Sequence, residues 1–311
     1  MKKEIKVKVI GIGGAGGNIL SRIKKSSPDN FLQLIAFNTD LQDLKTTKAD
    51  LKLQIGKKKT RGLGAGMDPK IGQEAAEESK GEIQKILKGS DILFLISGLG
   101  GGTGSGASPI VARLAKETNA LTIGIFTFPF YFEGEKRKRI AQKALELLEK
   151  ELDSFIIVFN DKILSQINPS FSFDFAFSLL DKTIQEIIFS ITQLLVKPGL
   201  INIDLADLTS ILKGAKRAYF GIGKGRGEQK IKEAIIEVLN SPFLDISIEG
   251  AKGVLLNIVG GKNLTLFEVA RIVENINQKT SPEAKIIFGA QQNNKTFQPD
   301  EVQITLIASG L

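Results

Sequence analysis

The sequence predicts an α/β protein. A doubly wound, mostly parallel sheet comes first, then a long central helix, then a smaller α/β domain with a mixed sheet. Three observations carry that prediction. Short apolar runs alternate with helical patterns through the first half of the chain. Glycine-rich loops sit at the carboxyl ends of those runs, where open α/β sheets bind ligands. An apolar-rich helical stretch, residues 173–196, ends at Pro198-Gly199, and the pattern changes after it.

Taken in order, residues 5–10 are the first strand, with GIGGAGG at 11–17 as its loop and residues 18–25 as a helix. Gly11, Gly13 and Gly16 make G-x-G-x-x-G, a weak signal for a dinucleotide when it stands alone. Residues 34–37 are the second strand, ending in Asn38-Thr39-Asp40. Polar groups there would meet a ribose or a metal-bound phosphate; alternatively, Asp40 merely caps the helix starting at Leu41. Residues 51–55 are a short strand, and the basic, glycine-rich loop 56–69 follows. Lys57, Lys58 and Lys59 read as solvated charge, whereas Gly62, Gly64 and Gly66 permit a close backbone approach to phosphate. Residues 71–87 read as one amphipathic helix.

The strand at 92–96 leads into SGLGGGTGSGASP, residues 97–109, and a helix follows at 110–116. That loop offers backbone N–H groups, free backbone angles and a helix N-terminus, which together suit a phosphate. A merely flexible turn would not need Thr103 and Ser105 threaded through it. Residues 121–128 are a strand broken by Thr127-Phe-Pro-Phe; a helix runs from about 136 to 152, and residues 155–159 are a strand ending in Asn160-Asp161.

After the long helix, Asn202, Asp204 and Asp207 head the next one. Asp204 and Asp207 share a helix face in its first turn, which a capping pair would also explain. Residues 218–221 read as a short strand and 221–227 as a turn. A helix at 228–239, a strand at 253–259, a helix at 266–275 and strands at 286–289 and 302–308 complete a mixed second domain.

Composition narrows the chemistry. The 311 residues contain no cysteine and no histidine, which excludes disulfides, thiolate nucleophiles, histidine metal sites and Ser–His pairs. Proton chemistry falls to carboxylates, lysine, tyrosine or water. No apolar stretch approaches the roughly 20 residues of a membrane helix. No signal peptide is read at the N-terminus, and a cytoplasmic location without direct membrane insertion is expected. The net charge of +8 attracts anions mildly and reads first as solvated basic faces; no basic-aromatic pattern for nucleic acid is present.

Several loops therefore converge on one polyanionic ligand. No G-x-x-x-x-G-K-[ST] occurs, so the chain is no P-loop NTPase. An NAD(P)-dependent oxidoreductase on a Rossmann fold is the alternative; it would explain Gly11 to Gly16 and leave Gly98 to Gly106 without a role.

GGGTGSG at Gly100 to Gly106 resembles the signature loop of the tubulin/FtsZ superfamily of GTPases. GIGGAGGN, FNTD, TRGLGAGMDP, FTFPFYFEGEKRKR, FND, VKPGLINIDLADL and FGIGKGRGE extend that likeness in order over nearly the whole chain, specifically to the bacterial FtsZ proteins of cell division. The resemblance implies the tubulin/FtsZ fold, with a GTP-binding domain at 1–172, a core helix at 173–197 and a C-terminal polymerisation domain at 198–311. It implies a GTPase, with GTP and GDP as ligands and Mg²⁺ held mainly by phosphates and water. Gly13, Gly14, Gly16, Gly17, Asn18 and Asp40 would face phosphates and sugar. Gly64, Ala65 and Gly66 would flank the γ-phosphate, and Gly100, Gly101, Gly102, Thr103, Gly104, Ser105 and Gly106 would cradle the α- and β-phosphates. Thr127, Pro129, Glu133 and Arg137 fall at the ribose, with Asn160, Phe177 and Asp181 at the guanine. Asn202, Asp204 and Asp207 would act in trans, on nucleotide held by the next subunit of a head-to-tail filament. The expected setting is the division ring at the septum, with ring partners and membrane tethers. A C-terminal tether-binding peptide belongs to the family pattern, and the sequence reaches Leu311 without one. The basic balance, with a pI near 9.4, also departs from the acidic family habit.

Overall fold

The computed structural model describes residues 5–26, 31–164, 172–196, 201, 203–241, 245–293 and 296–311. They form two compact units, Met1–Glu186 and Ile187–Leu311.

Unit 1 begins with β1 (Val7–Ile12), α1 (Gly13–Ser26), β2 (Leu32–Asn38), α2 (Leu41–Thr46), β3 (Leu51–Gln54) and α3 (Lys57–Thr60). It continues with α4 (Pro69–Glu78), α5 (Lys80–Leu87), β4 (Ile92–Gly98), α6 (Gly102–Lys116) and β5 (Leu121–Phe128). A 3-10 turn at Tyr131–Glu133, α7 (Glu135–Leu148), β6 (Ser154–Phe159) and α8 (Asn160–Leu164) follow, and the unit boundary falls inside α9 (Phe173–Val196). The strands run in the order β3-β2-β1-β4-β5-β6, and every pair among them is parallel. Helices cover both faces of such a sheet, so its strands read as continuous apolar runs. All eight residues of β5 are buried, as are Ile92 to Ser97 of β4. The order reverses at β1 and β4, where Ile12 lies beside Ser97. This is the position at which doubly wound sheets open a crevice beyond their carboxyl ends.

Unit 2 comprises α10 (Leu205–Leu212), β7 (Lys216–Arg226), α11 (Lys230–Leu239), β8 (Gly253–Gly260), α12 (Leu266–Asn277), β9 (Lys285–Gln292) and β10 (Glu301–Ser309). Its sheet is mixed: β10 pairs antiparallel with β7 and β8, and β8 pairs parallel with β9.

Four expectations need correcting, and glycine or serine is the reason each time. The stretch 97–109 is mostly helix, not loop. Only Leu99, Gly100 and Gly101 separate β4 from α6, and Pro109 lies inside the helix. Its glycines are there because backbone presses on backbone. A Cβ at Gly102 would lie 2.8 Å from the Asp68 nitrogen, and one at Gly106 would overlap the Pro69 carbonyl oxygen. Gly13 to Gly17 likewise belong to α1. The single helix at 71–87 is two, parted at Ser79, whose hydroxyl accepts from the Gly56 N–H at 3.0 Å. The expected turn at 221–227 is, as far as Arg226, the second half of β7. Gly221, Gly223 and Gly225 alternate on the face that α11 covers, and a Cβ at any of them would overlap a carbonyl oxygen of Val238, Ala234 or Lys230.

The Gly223→Ala variant should therefore lose about 3 kcal/mol of stability. Denaturant melts check this, and an unchanged midpoint would mean that α11 does not rest on the strand backbone.

Candidate functional site

The site starts where β1 and β4 end side by side. Gly13 opens α1 at φ +73, and a Cβ there would sit 3.2 Å from the Gly104 nitrogen. The first turns of α1 and α6 are thus neighbours. Neither contains an acidic residue, and Gly101 caps α6 with no side chain. Two adjacent helix N-termini present N–H groups and the positive ends of two dipoles to one spot.

The hydroxyls in the signature loop are already engaged. Thr103 Oγ1 lies 2.6 Å from Thr39 Oγ1, and Ser105 Oγ accepts from the Gly100 N–H at 2.8 Å. Both bonds brace the loop, so what it leaves for an anion is backbone N–H. Asp40 does cap α2, accepting from the N–H of Gln42 and Asp43. It also faces the 64–66 loop: a Cβ at Gly64 would lie 3.7 Å from Asp40 Oδ2. That loop turns through positive φ at Gly64, Gly66 and Met67, and Ala65 packs against the head of α6 at the bare Gly102.

On the other flank, Arg137 bonds Glu133 at 2.6 Å, and Glu133 accepts from the Phe130 N–H at 2.9 Å. Pro129 and the Arg137 carbonyl both abut Gly100, 3.3 and 3.2 Å from where its Cβ would be. Beside them opens a cavity of about 800 Å³ lined by Asn18, Thr127, Asn160, Phe177 and Asp181, with Ala15 and Arg22 among its further walls. Ala15 links it to the glycine loops, since a Cβ at Gly98 would come within 2.7 Å of the Ala15 methyl.

Two groups in that cavity are poised for a ligand. Asn160 is 6% exposed, and its Oδ1 has no hydrogen-bond partner. A buried acceptor left unpaired costs free energy until a donor arrives. Asp181 is 7% exposed and pairs with Arg22 Nε at 2.5 Å. Burial pushes its carboxyl up to about 6, against the opposing pull of the Arg22 guanidinium. Phe177 meets Phe130 edge-on, with centroids 5.6 Å apart.

The nucleotide-site residues expected from the sequence all belong to unit 1. Asn202 lies outside the described residues. Asp204 and Asp207 head α10 in unit 2, where they cap each other's N–H groups: Asp207 N–H donates to Asp204 Oδ1 at 2.8 Å, and Asp204 N–H donates to Asp207 Oδ2 at 3.1 Å. Sequence reasoning missed Arg22 and Asp43, and it placed Thr39 at the polar end of the second strand without its bond to Thr103. Arg22 was reachable, since it stands four residues past Asn18 on one face of α1. Asp43 accepts from the Asn38 amide at 2.7 Å and lies beside Gly14. Among the described residues no three carboxylates gather as a metal cage.

Comparison with known proteins bears on this geometry. Residues 6–168 match the model of the Tubulin/FtsZ family GTPase domain, and residues 216–311 match the FtsZ family C-terminal domain. Cell division protein FtsZ 1 of Archaeoglobus fulgidus is 43% identical over 91% of this chain and 77% of its own length. An empty FtsZ dimer from M. jannaschii superposes with a TM-score of 0.89 at 39% identity, covering 100% of this chain and 89% of the other. CetZ2 from Haloferax volcanii, solved as a GTPγS-bound protofilament, shares the fold, with a TM-score of 0.81 at 18% identity over 98% of this chain and 92% of that one. These matches give no support to the oxidoreductase alternative, and none to the bacterial part of the resemblance.

The Asp181 carboxyl titrates higher folded than unfolded. Its contribution to stability is full below about pH 4 and is lost as pH rises through about 6. Asp181→Asn should flatten that decline by on the order of 3 °C in melting temperature between pH 4 and 7. Parallel pH profiles for the two proteins would mean that Asp181 is not held in its neutral form by burial.

Proposed function

The chain belongs to the Tubulin/FtsZ family of GTPases, and from that premise we propose that it polymerises head to tail, each active site being completed by the neighbouring subunit. It is a GTP-binding and GTP-hydrolysing cytoskeletal protein of cell division. The observation that most supports the site reading is the meeting of two helix N-termini beside a wall that carries an unpaired buried amide oxygen and a buried carboxylate.

On this reading the N–H groups of Gly13, Gly14, Gly16 and Gly17 and of Gly100 to Gly106 hold the phosphates, and Gly64 to Gly66 close over the terminal one. Asp40 and Asn18 stand at the phosphate and sugar side. Thr127, Pro129, Glu133 and Arg137 hold the ribose. Asn160 Oδ1 accepts from the guanine, and Asp181 accepts from its N1–H and N2 amine once Arg22 yields. Phe177 lies against the base. A Mg²⁺ ion would be carried mainly by the phosphates and water. Its chemistry would be to neutralise phosphate charge as the terminal bond breaks.

Hydrolysis attaches a water oxygen to the γ-phosphorus and releases GDP and phosphate. Such transfers need positioning and charge stabilisation more than covalent help from the protein. Asp204 and Asp207 of one subunit orient that water in the site of the next, with Asn202 supporting them. The capping bonds use one oxygen of each carboxylate, Asp204 Oδ1 and Asp207 Oδ2, and leave the other oxygen of each for the water. A heterologous contact of this kind does not close on itself, so filaments result. The division of the chain into a nucleotide domain (1–172), a core helix (173–197) and a polymerisation domain (198–311) belongs to the same proposal. So do a cytoplasmic location at the septum and recruitment by ring partners and membrane tethers. Among the described residues no helix is long and apolar enough to cross a membrane.

Phosphate release measured against protein concentration, with light scattering in the same cuvette, tests the shared site. Activity should rise steeply only once filaments form; a line through zero would sink the proposal. Asp207→Ala should bind GTP normally and lose about 100-fold in turnover. Guanine affinity should fall as pH drops through about 6, because a protonated Asp181 cannot accept two hydrogen bonds from the base. A flat binding curve from pH 5 to 7.5 would remove Asp181 from base recognition.

A further inference from the structure

The net charge of +8 has no role in the site just described, and part of it is concentrated on one helix. Lys136, Arg139 and Lys143 stand at i, i+3 and i+7 on α7 and share a face. All three are exposed, and none forms a hydrogen bond or ion pair with a described residue. Some bases elsewhere on this unit are matched: Lys24 with Asp50 at 2.5 Å, Arg113 with Glu77 at 2.6 Å and Lys57 with Glu82 at 3.7 Å. Leu147 continues the stripe at 52% exposure, and exposed Lys150 follows just past the helix. The opposite face of α7 buries Ala141, Ala144, Leu145 and Leu148, which fixes the helix to its unit. Arg137 is held apart by Glu133.

We propose that this face of α7 docks on an anionic lipid membrane. Charge complementarity supplies the attraction, since lysine and arginine near a surface of acidic headgroups each add to binding. Leu147 selects the occupant. An exposed leucine among cations can enter the boundary between headgroups and acyl chains, whereas it gives a nucleic acid nothing to hold. The stripe carries no aromatic side chain on which bases could stack. Glu146 and Glu135 flank the stripe without pairing with its three cations. One such stripe is a weak anchor. A filament repeats it in every subunit, and linked weak contacts act as a strong one. Membrane attachment should therefore follow assembly. That coupling rests on the filament reading above; the stripe itself does not.

The test is co-sedimentation of the full chain with phosphatidylserine-containing vesicles or with pure phosphatidylcholine, in GTP and in GDP, with light scattering and phosphate release read in the same samples. Binding should favour phosphatidylserine, rise with GTP, and fall about tenfold in Lys136→Gln/Arg139→Gln/Lys143→Gln. That variant should still assemble and release phosphate. Leu147→Ser should weaken vesicle binding and leave the salt dependence intact. A charge-matched control, Lys232→Gln/Lys262→Gln/Lys279→Gln, should bind as the parent does. The proposal falls if the control loses as much as the stripe variant, which would mean bulk charge alone. It falls equally if the stripe variant sediments unchanged, or if the stripe governs binding to a duplex oligonucleotide and not to vesicles. If no filament forms in GTP, the filament reading fails; the stripe is still judged by parent against variant in GDP at low ionic strength.

Discussion

The head of α6 must be bare for anything else in unit 1 to sit where it does. Gly102, Gly104 and Gly106 bring its first turns into backbone contact with the 65–69 segment and with the end of β4. A glycine in a helix costs about 0.5–1 kcal/mol relative to alanine, so three of them are a real concession. What the concession obtains is closeness. The N–H groups of α6 reach the switch point between β1 and β4 with no side chain in front of them, and the 64–66 loop can lie across them. Gly13 makes the same concession for α1. Thr103 and Ser105 then brace the backbone through Thr39 and the Gly100 N–H, which keeps the cradle in shape without filling it. An anion-binding site built from main chain depends on this kind of fit, because nothing in it can rotate into place.

Much of this was legible because buried parallel strands and glycine loops have strong signatures. The strand at Leu121–Phe128 and the long helix Phe173–Val196 have the bounds that apolar periodicity gives them. What the sequence misled on was the meaning of glycine. In residues 97–109 and in 221–227, glycine reads as a loop signal, because its conformational freedom is local and well known. Its lack of a Cβ matters only when another backbone lies on top, and that neighbour is distant in the chain. Gly223 meets Ala234, and Gly106 meets Pro69. Such contacts are tertiary facts, so periodicity cannot report them. The break at Ser79 is of the same kind, since the hydroxyl that serves there takes its donor from Gly56.

The wall proposed to meet the base was legible only through family resemblance, and burial supplies its physics. Asn160 and Asp181 are unremarkable as letters. One opens the short helix α8, and the other sits within α9. Burial gives them their character: it leaves Asn160 Oδ1 without a donor and raises the Asp181 carboxyl towards neutrality. Arg22 answers the second problem in the empty chain by lending a charge to Asp181. A base offering two N–H donors could answer both at once. The cavity is thus a place where the folded chain carries an unmet cost that a purine with the right edge could relieve, which is a physical basis for selectivity over adenine.

The acids on α10 show why the proposed split active site would be physically inexpensive. Unpaired carboxylates that waited in the open for a partner would contribute little to their own subunit. Asp204 and Asp207 instead close a reciprocal capping box, a device that stabilises a helix N-terminus by about 1 kcal/mol. The same bonds hold both side chains in one orientation before any neighbour arrives, so little side-chain entropy remains to be lost on assembly. The capping explanation and the catalytic one, which compete when only the spacing of two aspartates is known, are therefore compatible. A group that already has a structural reason to be ordered is the best candidate to position a water molecule.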